Sequence, residues 1–234
     1  MKKKMFNKVL ILAGGKGTRF HPYSYVIPKP LIPINEKPIL LYLINAFKKF
    51  KFKNFFISTG YHSNLIQTYF LDGKKFNVNI RYFTEKKILG TAGPISYVKN
   101  FFKKEEYFFV INGDIFTKLN FRKMLNFAIK NNYDLVIGYI NKLEKSKYGV
   151  LEIINRKLVS IKEKPNFNID ISAGIYVLKN NNVIRKLPKK FLTMPDLIKM
   201  FIKKKLKIGV YEIKEYWKGI ENIENLHEVS RKNK

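Results

Sequence analysis

A short apolar run, Val9-Leu10-Ile11-Leu12-Ala13, passes directly into Gly14-Gly15-Lys16-Gly17-Thr18-Arg19, and Pro28-Lys29-Pro30 follows shortly after. An apolar run of this length bounded by glycine predicts a buried central strand of an α/β sheet. The loop then leaves the strand's carboxyl end, the edge where open α/β sheets bind ligands. Glycines there let backbone N–H groups approach phosphate oxygens with no Cβ in the way. Taken alone, the loop fits a tight strand-to-loop turn as well as a triphosphate cradle.

The spacing excludes two familiar phosphate loops. A dinucleotide fingerprint needs G-x-G-x-x-G, and Gly15-Lys16-Gly17-Thr18-Arg19-Phe20 lacks the last glycine; a Walker loop ends in Gly-Lys-Ser/Thr, whereas here arginine closes the run. The Pro-Lys-Pro adds weight to a binding role. Prolines fix φ and extend the residues before them, so Lys29 stands on a stiff segment with less freedom to lose on ordering.

The rest of the chain alternates. A core helix is expected from Pro38 through Phe47, strands at Asn54–Ser58 and Asn79–Phe83, helices at Leu65–Phe70 and Ala92–Phe102, and a buried strand at Tyr107–Ile111. Such βα repeats predict a parallel sheet. From Asp134 the strands come closer together, at Leu135–Ile140, Val150–Ile154, Leu158–Ile161 and Ile171–Leu178, and predict a mixed extension of that sheet. A helix with an Asn-rich start precedes Pro188; a helix at Met194–Phe201, a strand at Ile208–Ile213 and a helix at Ile223–Ser230 complete the series. The expected fold is a Rossmann-like three-layer α/β/α sandwich with a mostly parallel mixed sheet, one domain over 1–234 with no appended acyltransferase or regulatory module.

Composition sets outer bounds. The 234 residues suffice for one sizeable core, and the absence of cysteine removes disulfides, thiolate metal sites and a cysteine nucleophile. Lys2-Lys3-Lys4 ahead of an apolar run imitates a signal peptide, but the run is too short and lacks a cleavage site. A soluble cytoplasmic protein without a membrane span is expected. The net charge of +29, from 46 basic and 17 acidic residues, invites a nucleic-acid reading. The lysines are scattered along the chain beside core-facing residues, however, so solvated faces with no specific nucleic-acid partner are expected. Such a surface steers anionic substrates inward.

Asp114 follows a buried strand and Gly113, so its carboxylate should emerge at the same edge as the glycine loop; a turn or cap aspartate would occupy the same place. A lone aspartate beside a triphosphate suffices to anchor Mg²⁺, which takes few carboxylates and keeps waters and phosphate oxygens. His62 and His227 are isolated and imply no metal site.

Together, G-G-x-G-T-R at Gly14–Arg19 and P-K-P at Pro28–Pro30 resemble the signature of the sugar-1-phosphate nucleotidyltransferases, or nucleotide-sugar pyrophosphorylases. Pro22 is in register, while His21 and Ser24 stand where many relatives have arginine and threonine. The resemblance continues, in the family's order, through Leu89-Gly90-Thr91-Ala92-Gly93, Asn112-Gly113-Asp114, Tyr148-Gly149-Val150, Glu163-Lys164-Pro165 and Ala173-Gly174-Ile175-Tyr176. It implies transfer of a nucleoside monophosphate from a nucleoside triphosphate to a sugar 1-phosphate, with a homo-oligomer left open. By this resemblance Ala13, Gly14, Gly15, Gly17, Thr18 and Gly113 hold the nucleotide, Arg19 neutralises the leaving pyrophosphate and Lys29 the α-phosphoryl oxygens. Asp114 holds Mg²⁺, Glu163 bonds sugar hydroxyls, Lys164 meets the sugar phosphate, and Gly149 and Gly174 leave room for the sugar. Ser172 stands where asparagine is common. Glu85, Gly90 and Thr91 look most like guanylyltransferases acting on mannose-, heptose- or hexosamine-type 1-phosphates, with thymidylyl-, uridylyl- and cytidylyltransferases as alternatives.

One position departs from the family pattern. A second metal aspartate normally lies two residues after a tryptophan, and Trp217-Lys218 is followed here by Gly219. Glu221 lies two residues further, roughly 6.6 Å along an extended chain, which its extra methylene recovers only in small part. Loss of such a group costs roughly 10² to 10³ in rate against total accelerations of about 10⁶ or more. A weakened enzyme is therefore expected, and a nucleotide-sugar-binding regulatory homologue is the alternative.

Overall fold

The computed structural model describes residues 7–233; the leader-like Lys2–Lys4 lie outside them. In chain order the elements are β1 (Lys8–Ala13), β2 (Pro33–Ile34), β3 (Lys37–Pro38), α1 (Ile39–Lys48), β4 (Asn54–Thr59), α2 (Ser63–Phe70), β5 (Asn79–Thr84), α3 (Ile95–Val98), β6 (Tyr107–Asn112), β7 (Ile115–Thr117) and α4 (Phe121–Lys130). There follow β8 (Leu135–Lys145), β9 (Val150–Ile154), β10 (Lys157–Lys162), β11 (Asn166–Lys179), α5 (Asn182–Arg185), α6 (Met194–Lys203), β12 (Ile208–Glu212), β13 (Trp217–Gly219) and α7 (Ile223–Lys232).

Seven strands form the central sheet in the order β12-β8-β11-β6-β1-β4-β5. Only β11 runs against the others: it is antiparallel to β6 and β8, and every other neighbouring pair is parallel. The mostly parallel mixed sheet expected from the alternation is therefore present. Alternation along β1 sends Val9, Ile11 and Ala13 to one face, where α1, α2 and α4 cover them, and Leu10 to the other, under α3, α5 and α6. Three layers result. Phe47 of α1 sits at the centre of the first face, stacked on Phe121 at 3.6 Å and edge-on to Phe52 and Phe109. A third, smaller cluster of Phe20, Ile32, Ile34, Ile39, Phe116, Ile220 and Val229 packs the segment after the glycine loop against β7 and α7. This cluster joins residues 20–39 to residues 220–229.

Two expectations are corrected and one element is new. β9 and β10 pair only with each other, as a detached two-stranded hairpin, and do not extend the central sheet. The sheet extension consists of β8, β11 and β12. The helix expected over Ala92–Phe102 shrinks to α3 and a 3₁₀ turn at Lys99–Phe101, because the amides of Ala92 and Gly93 both bond Leu192 O and hold the preceding segment against the loop before α6. No sequence expectation covers α4, although Phe121, Met124, Leu125 and Ala128 form its buried stripe at helical spacing, behind the Asn120 cap. Among the described residues no helix is long and apolar enough to cross a membrane.

Candidate active site

A cleft of about 370 Å³ opens at the carboxyl edge of β1 and β6. Leu12, Ala13, Gly14, Gly15, Lys16 and Gly17 line it from the first loop, Lys29 and Pro30 from the second, Glu85, Ile88, Gly90 and Thr91 from the segment after β5, and Asn112, Gly113 and Asp114 from the end of β6. Ten of the residues singled out in the sequence thus meet at one place: Ala13, Gly14, Gly15, Gly17, Lys29, Glu85, Gly90, Thr91, Gly113 and Asp114. Lys16, Ile88, Asn112, Leu12 and Pro30 join them. Leu12, Lys16, Pro30 and Asn112 belong to the same sequence motifs, and for Lys16 and Asn112 polarity next to glycine was the available signal.

Local geometry explains the glycines. Gly17 has φ +66°, which L side chains rarely adopt, and a Cβ there would press on Lys29 Cβ at 3.1 Å. At Gly14 a Cβ would meet Glu85 Oε1 at 2.8 Å. The loop is therefore backbone-thin just where Lys29 and Glu85 approach it. Glu85 is held by Ser58 Oγ, which donates to Oε1 at 2.7 Å, and by the Leu89 amide, which donates to Oε2 at 2.9 Å. Thr91 Oγ1 accepts from the Met194 amide at 2.7 Å.

Two ion pairs organise the charges. Lys29 Nζ donates to Asp114 Oδ2 at 2.5 Å, and lies 5.4 Å from the centre of the Phe20 ring. Asp114 is fixed from behind, its carbonyl accepting from the Ile220 amide at 2.8 Å. Arg19, exposed on the 3₁₀ turn Thr18–Phe20, donates from Nη1 to Glu221 Oε2 at 2.6 Å. Glu221 therefore meets Arg19, and its carboxylate has no bond to Asp114. Gly219 lies opposite Ile115 in the β7–β13 ribbon, one residue beyond Asp114, and a Cβ there would meet the Trp217 ring at 3.4 Å and Glu221 Cγ at 3.9 Å. Trp217 Nε1 donates to Ala173 O at 3.0 Å, tying that ribbon to β11.

The remaining candidates lie outside the cleft lining. Thr18 and Arg19 stand exposed at its loop. Gly174 packs on Asn112, while the Ser172 hydroxyl and the Tyr176 phenol lie 3.0 Å apart. Burial raises the Tyr176 phenol above its ordinary value, the Ser172 hydrogen bond opposing that, so the phenol stays protonated. Gly149 backs onto Glu163, and Glu163 lies 3.7 Å from Lys164, at the base of the β9–β10 hairpin. These three form a group of their own. Among the described residues no cluster of three or more His, Cys, Asp or Glu could hold a metal.

The chain's likeness to known proteins agrees with this geometry. The nucleotidyl transferase family profile matches residues 8–234. A mannose-1-phosphate guanyltransferase of Yarrowia lipolytica is 34% identical over 73% of this chain and 49% of its own length. The bifunctional protein GlmU of Methanococcus maripaludis is 33% identical over 90% of this chain and 50% of its own. The chain spans about half the length of these curated relatives. Among solved structures, HddC from Yersinia pseudotuberculosis complexed with GMP-PN superimposes with a TM-score of 0.77 at 26% identity, covering 97% of this chain and all of that one. A glycine loop at the end of β1, a lysine between prolines and an aspartate at the end of β6 thus come together in a chain that belongs to the nucleotidyl transferase family.

Proposed function

We propose that residues 1–234 form one nucleotidyltransferase domain that transfers a nucleoside monophosphate from a nucleoside triphosphate to a sugar 1-phosphate, releasing pyrophosphate, to supply nucleotide sugars for glycan synthesis in the cytoplasm. The observation that carries this reading is the Lys29–Asp114 pair at 2.5 Å within a glycine-lined cleft at the sheet's carboxyl edge. A phosphate oxygen of the acceptor attacks the α-phosphorus in line, and the bond to the bridging oxygen of pyrophosphate breaks. No covalent enzyme intermediate is needed, so the protein contributes positioning and charge.

Each charged group has one task. Lys29 turns from Asp114 to the α-phosphoryl oxygens, Arg19 neutralises the leaving pyrophosphate, and Lys164 aligns the acceptor phosphate. Asp114 is the residue that would hold Mg²⁺. A single half-exposed carboxylate fits an ion that takes most of its ligands from phosphates and water. Bound there, magnesium supplies further neutralisation of the phosphate charge.

GTP is the proposed donor. Guanine presents N1–H and N2–H₂ side by side, and a carboxylate accepts both; Glu85, oriented by Ser58 and Leu89, lines the cleft at the right edge for that role. The guanyltransferase relative and the GMP-PN bound to HddC support the choice. The test is pyrophosphate release with Mg²⁺ from four triphosphates against several sugar 1-phosphates, with GTP expected to give the fastest release. No release from any pair refutes the enzyme reading. Gly219 favours one second reading, a nucleotide-sugar-binding regulatory protein, which calorimetric binding without turnover would establish.

A further inference from the structure

The transfer reaction needs Arg19 open to phosphate, yet Arg19 is occupied. Its Nη1 donates to Glu221 Oε2 at 2.6 Å, with the two side chains 70% and 61% exposed. The backbone beneath Glu221 is anchored on every side. Gly219 pairs with Ile115, the Ile220 amide donates to Asp114 O at 2.8 Å, the Glu221 amide donates to Asn225 Oδ1 at 3.2 Å, and Asn222 caps α7. Arg19 stands on the three-residue turn Thr18–Phe20, behind Gly17. The carboxylate is thus presented to the guanidinium from an anchored base.

We propose that Glu221 is an internal stand-in for pyrophosphate, holding Arg19 until the β- and γ-phosphates displace it and re-pairing as the product leaves. The inference rests on the reading above that Arg19 receives the leaving group. A guanidinium takes carboxylate and phosphate through the same planar fork, so the two compete for its donors. The displaced carboxylate also stays near a polyanion, and like charge at that range opposes binding. In a protein of net charge +29, where a cleft lined by Lys16 and Lys29 with Arg19 beside it would otherwise retain pyrophosphate, Glu221 lowers the affinity of product and triphosphate together. The contact is exposed, so its effect is about two- to five-fold.

The experiment is calorimetric titration of inorganic pyrophosphate, with and without Mg²⁺, into the wild-type chain, Glu221→Gln, Arg19→Gln and the double variant. Glu221→Gln keeps the side chain's size and removes its charge. It is expected to bind pyrophosphate about two- to five-fold more tightly in both conditions, and this gain is expected to vanish in the Arg19→Gln background. Unchanged or weaker binding by Glu221→Gln overturns the proposal, and weaker binding confined to Mg²⁺ assigns the carboxylate to the ion instead. If Arg19→Gln leaves pyrophosphate affinity unchanged, it is the placement of the leaving group at Arg19 that fails.

Discussion

The strand behind the glycine loop and each strand of the hairpin between Gly149 and Glu163 are of similar length and similarly rich in branched apolar residues, yet one is sealed and the others bare. Val9, Leu10 and Ile11 are 0% exposed, whereas Leu151, Ile153, Leu158 and Ile161 are 51% to 62% exposed. In β1 both faces are covered by helices and both edges by parallel neighbours. In the hairpin, Leu151 stands opposite Ile161 and Ile153 opposite Leu158, so a wholly apolar face is turned to solvent. A two-stranded hairpin is marginal on its own. The proposed nucleotide side of the site therefore has its geometry fixed by packing, while the proposed acceptor side hangs on a segment whose geometry packing does not fix.

The largest effect that would break this contrast is expected in the core. Phe47→Ala removes a fully buried ring at the meeting point of Phe52, Phe109 and Phe121 and should cost about 3 to 5 kcal/mol, read by denaturant unfolding. Asp114→Asn should lower kcat roughly 10²- to 10³-fold in the pyrophosphate-release assay while the melting temperature stays near that of the wild type; unchanged kcat would remove Asp114 from the chemistry. Lys164→Ala should raise KM for the sugar 1-phosphate by about ten-fold or more, the range of a lost charge-assisted hydrogen bond, and leave KM for the triphosphate unchanged. A parallel rise in both constants would show the two sides to be mechanically one. Gly219→Asp meets nothing closer than ordinary contact and should lower the Mg²⁺ concentration for half-maximal rate several-fold. Least of all, Leu158→Ser should change stability by no more than about 0.5 kcal/mol, since an exposed side chain has little burial to lose.

The same contrast governs what the sequence could reveal. β1, β4 and β6 were legible because a strand buried on both faces reads as an unbroken apolar run, and β5, on the sheet edge, was legible from its β-branched and aromatic residues. β9 and β10 were legible as strands but not by location: alternation records that a segment is extended and is silent about which strand it pairs with. The β7–β13 ribbon escaped because strands of three residues carry no periodicity, although it is this ribbon that sets Gly219 opposite Ile115. The meeting of the glycine loop with Lys29, Glu85 and Asp114 in one cleft was legible because glycine spacing encodes close approach directly. The partner of Arg19 was not, because no local rule couples residues 202 positions apart.

That separation has a consequence for the order in which the chain matures. Arg19 meets Glu221 across 202 positions, and the smallest hydrophobic cluster holds Phe20 and Ile32 against Ile220 and Val229. Contacts of such span close late, after local βα units have formed and their loop entropy has been lost. A nascent chain can thus possess the whole parallel half of its sheet, glycine loop included, before the segment that restrains its arginine exists. During synthesis the glycine loop emerges about 200 residues before the partner of its arginine.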